Sequence, residues 1–172
     1  MRADISSFAE RDRGAGAPLY TPDQRRRRDS SRWTLVQGVL APVQFLIFLV
    51  SLVLVLRYLT LGEGAAAATV SIVIKTCALY AIMITGSIWE KVVFGRWLFA
   101  PAFYWEDVFS MLVLALHTAY LVMLVGDLGS ERERMLLALA AYASYAINAT
   151  QFVIKLRAAR LQAATPTLAV AG

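Results

Sequence analysis

Three carboxylates and one imidazole in this sequence stand where ionisable groups are expensive. Glu90, Glu106, Asp107 and His117, the only histidine, lie within or beside apolar runs of membrane-crossing length. Ionisable residues at such depth are rare, and they mark ligand contacts, proton transfer or ion pathways. Two buried carboxyls held close together cannot both ionise cheaply, so one keeps a proton that it can donate. The chemistry on offer is general acid–base work, with the imidazole as proton carrier or metal ligand. Glu106 and Glu90 are the expected pair: Glu106 the acid, because it shares a helix face with His117, and Glu90 ionised, orienting water. His117 lies eleven residues beyond Glu106, about 16 Å along a helix at 1.5 Å per residue, too far for direct proton exchange. The plainer readings stand beside these. Asp107 is equally an interfacial charge among headgroups, and His117 a neutral, hydrogen-bonded core histidine.

Helices must carry these groups. The chain has 172 residues, of which 59% are hydrophobic, and a mean hydropathy of +0.59. The apolar residues come in blocks, and a bilayer crossing needs ~20 of them. The fold class is therefore all-α: a polytopic membrane protein built as a four-transmembrane-helix bundle, with spans near 33–59, 68–91, 105–126 and 134–156. Residues 1–32 form a polar, basic N-terminal tail, 33–160 the transmembrane domain and 161–172 a flexible C-terminal tail. Thr21-Pro22-Asp23-Gln24 has the N-cap, first-turn proline and third-position Gln of a helix start, so a short surface helix is expected through Asp29. The run from Trp33 to Leu61 is too long for a signal peptide's apolar core of ~7–15 residues. Gly62 and Gly64 predict a tight first connection, and 126–133 a short charged third one. The second, 92–104, is aromatic, broken by Gly95 and Pro101, and expected to lie in the membrane interface.

The net charge of +5 gathers in Arg25 to Arg28 and Arg32. Before a spanning helix such a run sets topology and meets lipid headgroups, so no nucleic-acid partner is expected. Lys91, Arg96, Lys155, Arg157 and Arg160 fall on the same side of the bundle, against Arg57, Arg132 and Arg134 opposite. Both termini are therefore expected in the cytoplasm. A single cysteine, Cys77, gives no disulfide framework and reads as a small buried hydrophobe.

Each span carries a polar stripe at helical spacing: Gln37 and Gln44; Lys75, Gly86 and Glu90; Glu106, Ser110 and His117; Ser144, Asn148, Gln151 and Lys155. Lipid offers no hydrogen-bond partner, so the stripes turn inward. They are expected to line a polar pocket open to the cytoplasm, with an aromatic loop at its mouth. Gln44, Asn148 and Gln151 are its candidate binding groups, or else interhelical glue. Trp89, Trp97 and Trp105, with the phenylalanines between them, suit a flat apolar ligand or simply anchor the interface. Lys91, Arg96 and Lys155 suit an acidic ligand edge.

Residues 33–59, GSIWEKVVFGRWLFAPAFYWEDVFSMLVLALHTAYLV (86–122) and YAINATQFVIKLRAARL (145–161), with the leader LYTPDQRRRRDSS, resemble the 3-vinyl bacteriochlorophyllide hydratase family over about residues 19–161. The hairpin segment is the specific part. The resemblance implies a hydro-lyase that adds water across the C3 vinyl group of a magnesium tetrapyrrole to give a 1-hydroxyethyl group. It implies no added cofactor and no metal site in the protein, since the magnesium belongs to the substrate. It implies a bacterial cytoplasmic membrane, including intracytoplasmic photosynthetic membrane. Membrane lipid is a partner; other pigment-biosynthesis enzymes or a second copy of the chain remain open. No catalytic motif comes with the family. Hydration needs a proton on the terminal vinyl carbon and then water at the carbon beside the ring, which a protonated carboxyl and a base or amide supply. His117 is the expected ligand of the substrate magnesium. Two other classes stay in view, a non-catalytic pigment-binding or assembly protein and a small transporter or proton pathway. The absence of repeats disfavours transport.

Overall fold

The structure is a computed structural model and describes residues 19–164. It is helical throughout: α1 (Pro22–Ser30), α2 (Arg32–Leu61), α3 (Ala65–Phe94), α4 (Tyr104–Val125) and α5 (Glu131–Ala164). The last four are each long and apolar enough to cross a membrane. The short helix expected after Thr21 is α1. Thr21 accepts from the Gln24 N–H at 3.2 Å and Gln24 returns the bond at 2.9 Å, a reciprocal cap that satisfies two otherwise orphaned donors. Residues 1–18 and 165–172, and with them most of the two expected tails, lie outside the described residues.

At the end of the bundle away from the termini, Gly62 and Gly64 take φ of 73° and 81°, a region that costs glycine nothing. At the other far-end turn, Ser130 and Glu133 cap each other and start α5. These short turns make two antiparallel hairpins, α2–α3 and α4–α5. Gln37 donates to Thr85 at 2.7 Å and Ser51 meets Ser71 at 2.6 Å, which sets the register of the first. Asn148 donates to Ser110 at 2.8 Å and Lys155 to Glu106 at 2.6 Å, which sets that of the second. Ser51 to Tyr142 and Tyr80 to Thr118 tie the hairpins together. Such bonds average ~0.6 kcal/mol in a membrane, so close packing must supply the rest. Phe48 does so at the centre, edge-on to Tyr142 with centroids 5.5 Å apart, among Val55, Ile72, Leu79, Val113 and Met135.

The helices overrun their expected ends, α3 to Phe94 and α5 to Ala164. Cys77 is a correction: it is exposed on the outer face of α3 rather than buried, because the inward face there belongs to Lys75, Thr76 and Leu79. Ser144 is another. It faces away from the stripe and bonds back to Ala140 O, while Tyr145 takes the inward position.

Candidate functional site

The carboxylates converge at the end of the bundle that carries the termini. Glu90 comes from the last turn but one of α3, while Glu106 and Asp107 come from the first turn of α4. All three are buried, at 5%, 6% and 4% exposure. The α3–α4 connection closes over them. Gly95 ends α3 in the left-handed region, Phe99 adopts φ of 58°, and two successive amides then point inward. Phe99 N–H donates to Asp107 at 2.7 Å and Ala100 N–H to Glu90 at 3.2 Å. Neighbouring amides can reach two carboxyls only if the carboxyls adjoin, so the Glu90 and Asp107 side chains lie side by side. Two adjoining buried carboxyls cannot both ionise cheaply.

Glu106 has different company. Lys155 of α5 donates to it at 2.6 Å and also to the Ala102 carbonyl. The cluster thus divides into an adjoining carboxyl pair, Glu90–Asp107, and an ion pair, Glu106–Lys155. Phe99 carries a side chain in a conformation that costs about 1–2 kcal/mol outside glycine. The two amide bonds offset that cost.

An aromatic cluster walls this site. Phe103, 2% exposed, is ringed by Tyr20, Trp89, Phe94 and Phe152, with centroids 5.7–6.4 Å away. Tyr20 stacks on Phe94 at 5.8 Å and has the Arg28 guanidinium 4.7 Å from its ring centroid, so the segment before α1 straps the cluster from outside. Burial pushes the Tyr20 phenol above its ordinary value. The expected aromatic mouth is therefore corrected: Tyr20, Trp89, Phe94 and Phe103 fill it by packing on one another. Trp89 is part of the filling and donates to Thr34 at 3.0 Å. Trp97 and Trp105 instead stand outside, 59% and 67% exposed, with Phe99 and Tyr104 between them. Lys91 caps α3 through Gly95 O and sits 5.8 Å over Trp97; Arg96 is exposed beside it.

His117 is far from all of this. Its Nδ1 lies 2.8 Å from Val113 O, and a carbonyl only accepts, so Nδ1 carries the hydrogen and Nε2 keeps a lone pair turned inward. Tyr142 adjoins it with centroids 5.8 Å apart. Lys75, wholly buried, lies in the same part of the interior with Nζ 3.7 Å above the Tyr145 ring. Gln44 faces inward on α2, and Asn148 and Gln151 follow Tyr145 along α5. Of the expected residues the fold thus joins Glu90, Glu106 and Lys155, leaves Trp97, Trp105, Lys91 and Arg96 as an outer rim, and sets His117, Gln44, Asn148 and Gln151 deeper. Sequence reasoning missed the Phe99 and Ala100 amides, for which no side chain signals, and Asp107 as the partner of Glu90. The i, i+1 pair Glu106–Asp107 was the available hint, since adjacent residues on a helix point to different neighbours. A second, unforeseen feature is a cleft of about 330 Å³ at the far end, lined by Thr69, Glu131, Arg134 and Met135.

A family model described as 2-vinyl bacteriochlorophyllide hydratase matches residues 20–158. A protein of that name from Rhodobacter capsulatus is 64% identical over 148 residues, covering 86% of this chain and 85% of the relative. Another from Cereibacter sphaeroides is 66% identical over 144 residues, covering 83% and 89%. No solved structure matches the chain.

Proposed function

The chain belongs to the 2-vinyl bacteriochlorophyllide hydratase family, and from that premise we propose that the carboxyl cluster under the α3–α4 loop is where it hydrates its pigment. It is a hydro-lyase of bacteriochlorophyll biosynthesis that adds water to the vinyl group of its tetrapyrrole. One observation carries the choice of site: two buried carboxyls, Glu90 and Asp107, meet on consecutive amides, neither with an ion-pair partner among the described residues, and carboxyls so placed cannot both ionise cheaply, so one keeps a proton.

The pair donates that proton to the terminal vinyl carbon, which becomes a methyl group. The carbon beside the ring is left electron-poor, its charge spread into the macrocycle and balanced by the ionised pair and by Glu106. Preorganised charge of this kind needs no rearrangement as the transition state forms. Water then bonds to that carbon, and its surplus proton returns to the pair. Glu106, fixed by Lys155, orients the water. The expected roles thus exchange. Glu106 has an ammonium at 2.6 Å and suits the ionised part, while Glu90 with Asp107 suits the acid.

The pigment reaches the cluster from the membrane side when the loop lifts off its two amide bonds. Trp97, Phe99, Tyr104 and Trp105 form the outer shelf on which a flat ring stacks. Lys91 and Arg96 receive its propionate edge. No added cofactor is invoked, since the magnesium arrives with the substrate. In this reading both termini are cytoplasmic, lipid covers the apolar belt, and the protein sits in the bacterial inner membrane and its photosynthetic extensions. A second copy or another enzyme of the pathway remains a partner to test by crosslinking. Labelling a cysteine at Gly64 in a Cys77→Ala background tests the topology; access from the cytoplasm alone would reverse it.

A second reading has the magnesium on His117, favoured by the free Nε2. It then competes with the first. The metal sits at the centre of the macrocycle, and the vinyl group is a ring radius away, well short of the ~16 Å separating His117 from Glu106. Binding of magnesium and metal-free pigments to His117→Ala separates them. Selective loss of the magnesium form favours His117 as ligand, and equal binding favours the cluster alone.

A further inference from the structure

The interior between His117 and the carboxyl cluster holds polar atoms with no hydrogen-bond partner among the described residues: Lys75 Nζ, Gln44 Nε2, His117 Nε2, Asn148 Oδ1 and Gln151 Oε1. They come from all four spans. Lys75, His117, Gln44 and Asn148 are at most 8% exposed. Orphaned buried polar atoms are uncommon in folded proteins, because each costs about 1–3 kcal/mol.

They are also in line. Tyr145, Asn148, Gln151 and Lys155 recur at three, three and four residues, one stripe on the inner face of α5. Lys75 Nζ lies on the Tyr145 ring at one end of the stripe, and Lys155 holds Glu106 at the other. The Ser51–Tyr142 bond and the Phe48–Tyr145 contact at 4.9 Å fix α2 against α5, so that Gln44 comes level with Asn148.

We propose that this stripe carries a file of bound water from the Lys75–Tyr145 layer to the carboxyl cluster, the reservoir from which the reacting water is drawn. The proposal rests on the cluster being the site of chemistry. The atoms themselves choose the ligand. Lys75 and Gln44 offer donors; Asn148, Gln151 and the His117 lone pair offer acceptors. An anion would leave the acceptors unpaired and a cation the donors, whereas water serves both and makes about three such bonds when buried. From Tyr145 to Lys155 is about 15 Å at 1.5 Å per residue, a span for on the order of five waters at hydrogen-bond spacing. A hydratase consumes one water per turnover, and lipid supplies none. With the magnesium unable to reach His117 while the vinyl group is at the cluster, the file also gives the His117 lone pair its partner.

X-ray radiolytic footprinting of the full chain in lipid nanodiscs tests this, because hydroxyl radicals generated from bound water oxidise the side chains beside it. The control is Val55, wholly buried in the apolar core and away from both the stripe and the far-end cleft. Corrected for intrinsic reactivity, Tyr145 and His117 should oxidise severalfold faster than Val55. In Asn148→Leu, and in the milder Gln151→Leu, the Tyr145 rate should fall and kcat with it, at unchanged pigment KM. Rates for Tyr145 and His117 no higher than for Val55, or unaffected by both variants, overturn the proposal. Wet labelling together with a fully active Glu90→Gln would keep the file and remove the carboxyl reading. Dry labelling with an inactive Glu90→Gln would do the reverse.

Discussion

Glu90→Gln is the substitution that separates proton donation from architecture. Glutamine keeps the shape, and its carbonyl oxygen still accepts from Ala100 N–H, a 3.2 Å bond in the parent. Its amide group can donate to Asp107, so the loop stays shut and only the transferable proton is gone. A positioned general acid contributes about 10²–10⁴-fold. At 1.36 kcal/mol per tenfold that is roughly 2.7–5.5 kcal/mol of barrier. Asp107→Asn keeps the 2.7 Å bond from Phe99 N–H and removes the same proton from the other side. Because one proton serves both carboxyls, the losses should not add. The double variant should be no slower than the worse single one, with a coupling energy about equal to one whole single effect. The assay is single-turnover hydration in nanodiscs, with kcat and KM determined separately and pigment binding measured alongside. Losses under tenfold in both single variants, or losses that multiply in the double, would refute the shared-proton argument.

Lys155→Met should cost about 3–5 kcal/mol of stability, since it leaves a buried Glu106 carboxylate without its cation. Lys155→Met with Glu106→Leu should recover most of that in thermal unfolding, and a double variant as unstable as the single would contradict it. Phe103→Ala removes the hub of the aromatic cluster at a cost of ~3–5 kcal/mol. It should also release α1, so that protease cuts faster at Arg25 to Arg28; unchanged protection would show that the strap is held elsewhere. Burial raises the Tyr20 phenol above its ordinary value of 10.0, so the strap's share of stability is fully present below pH 10 and lost as pH climbs through the raised value. Tyr20→Phe should stay strapped in that range, and a parent that loosens below pH 10 would count against the stack.

Much of this architecture is written locally. The spans follow from apolar run length, the first turn from Gly62 and Gly64, and α1 from a cap whose two partners are three residues apart. The stripes of Gln37, Glu90, Asn148 and Lys155 were legible because lipid leaves polar groups one direction to face. The division of labour among the carboxylates was not. It depends on Lys155 arriving 49 residues away in sequence at the right register beside Glu106, which no local pattern encodes. The same holds for Asp107, readable as a headgroup-facing charge until a loop with Phe99 in a left-handed conformation folds back upon it. Ser144 and Tyr145 illustrate a smaller failure. A one-residue rotation of α5 decides which faces inward, and the Phe48 and Lys75 contacts favour the ring over the hydroxyl.

The central claim is that a proton held between Glu90 and Asp107 initiates addition of water to a vinyl tetrapyrrole. Membranes containing the parent or Glu90→Gln chain, incubated with the vinyl pigment in heavy-oxygen water and read by mass spectrometry, test it most directly. The parent should yield pigment heavier by one water, with the heavy oxygen in the new hydroxyl group, while Glu90→Gln binds pigment and leaves its mass unchanged. Heavy product formed equally well by both chains would contradict the account.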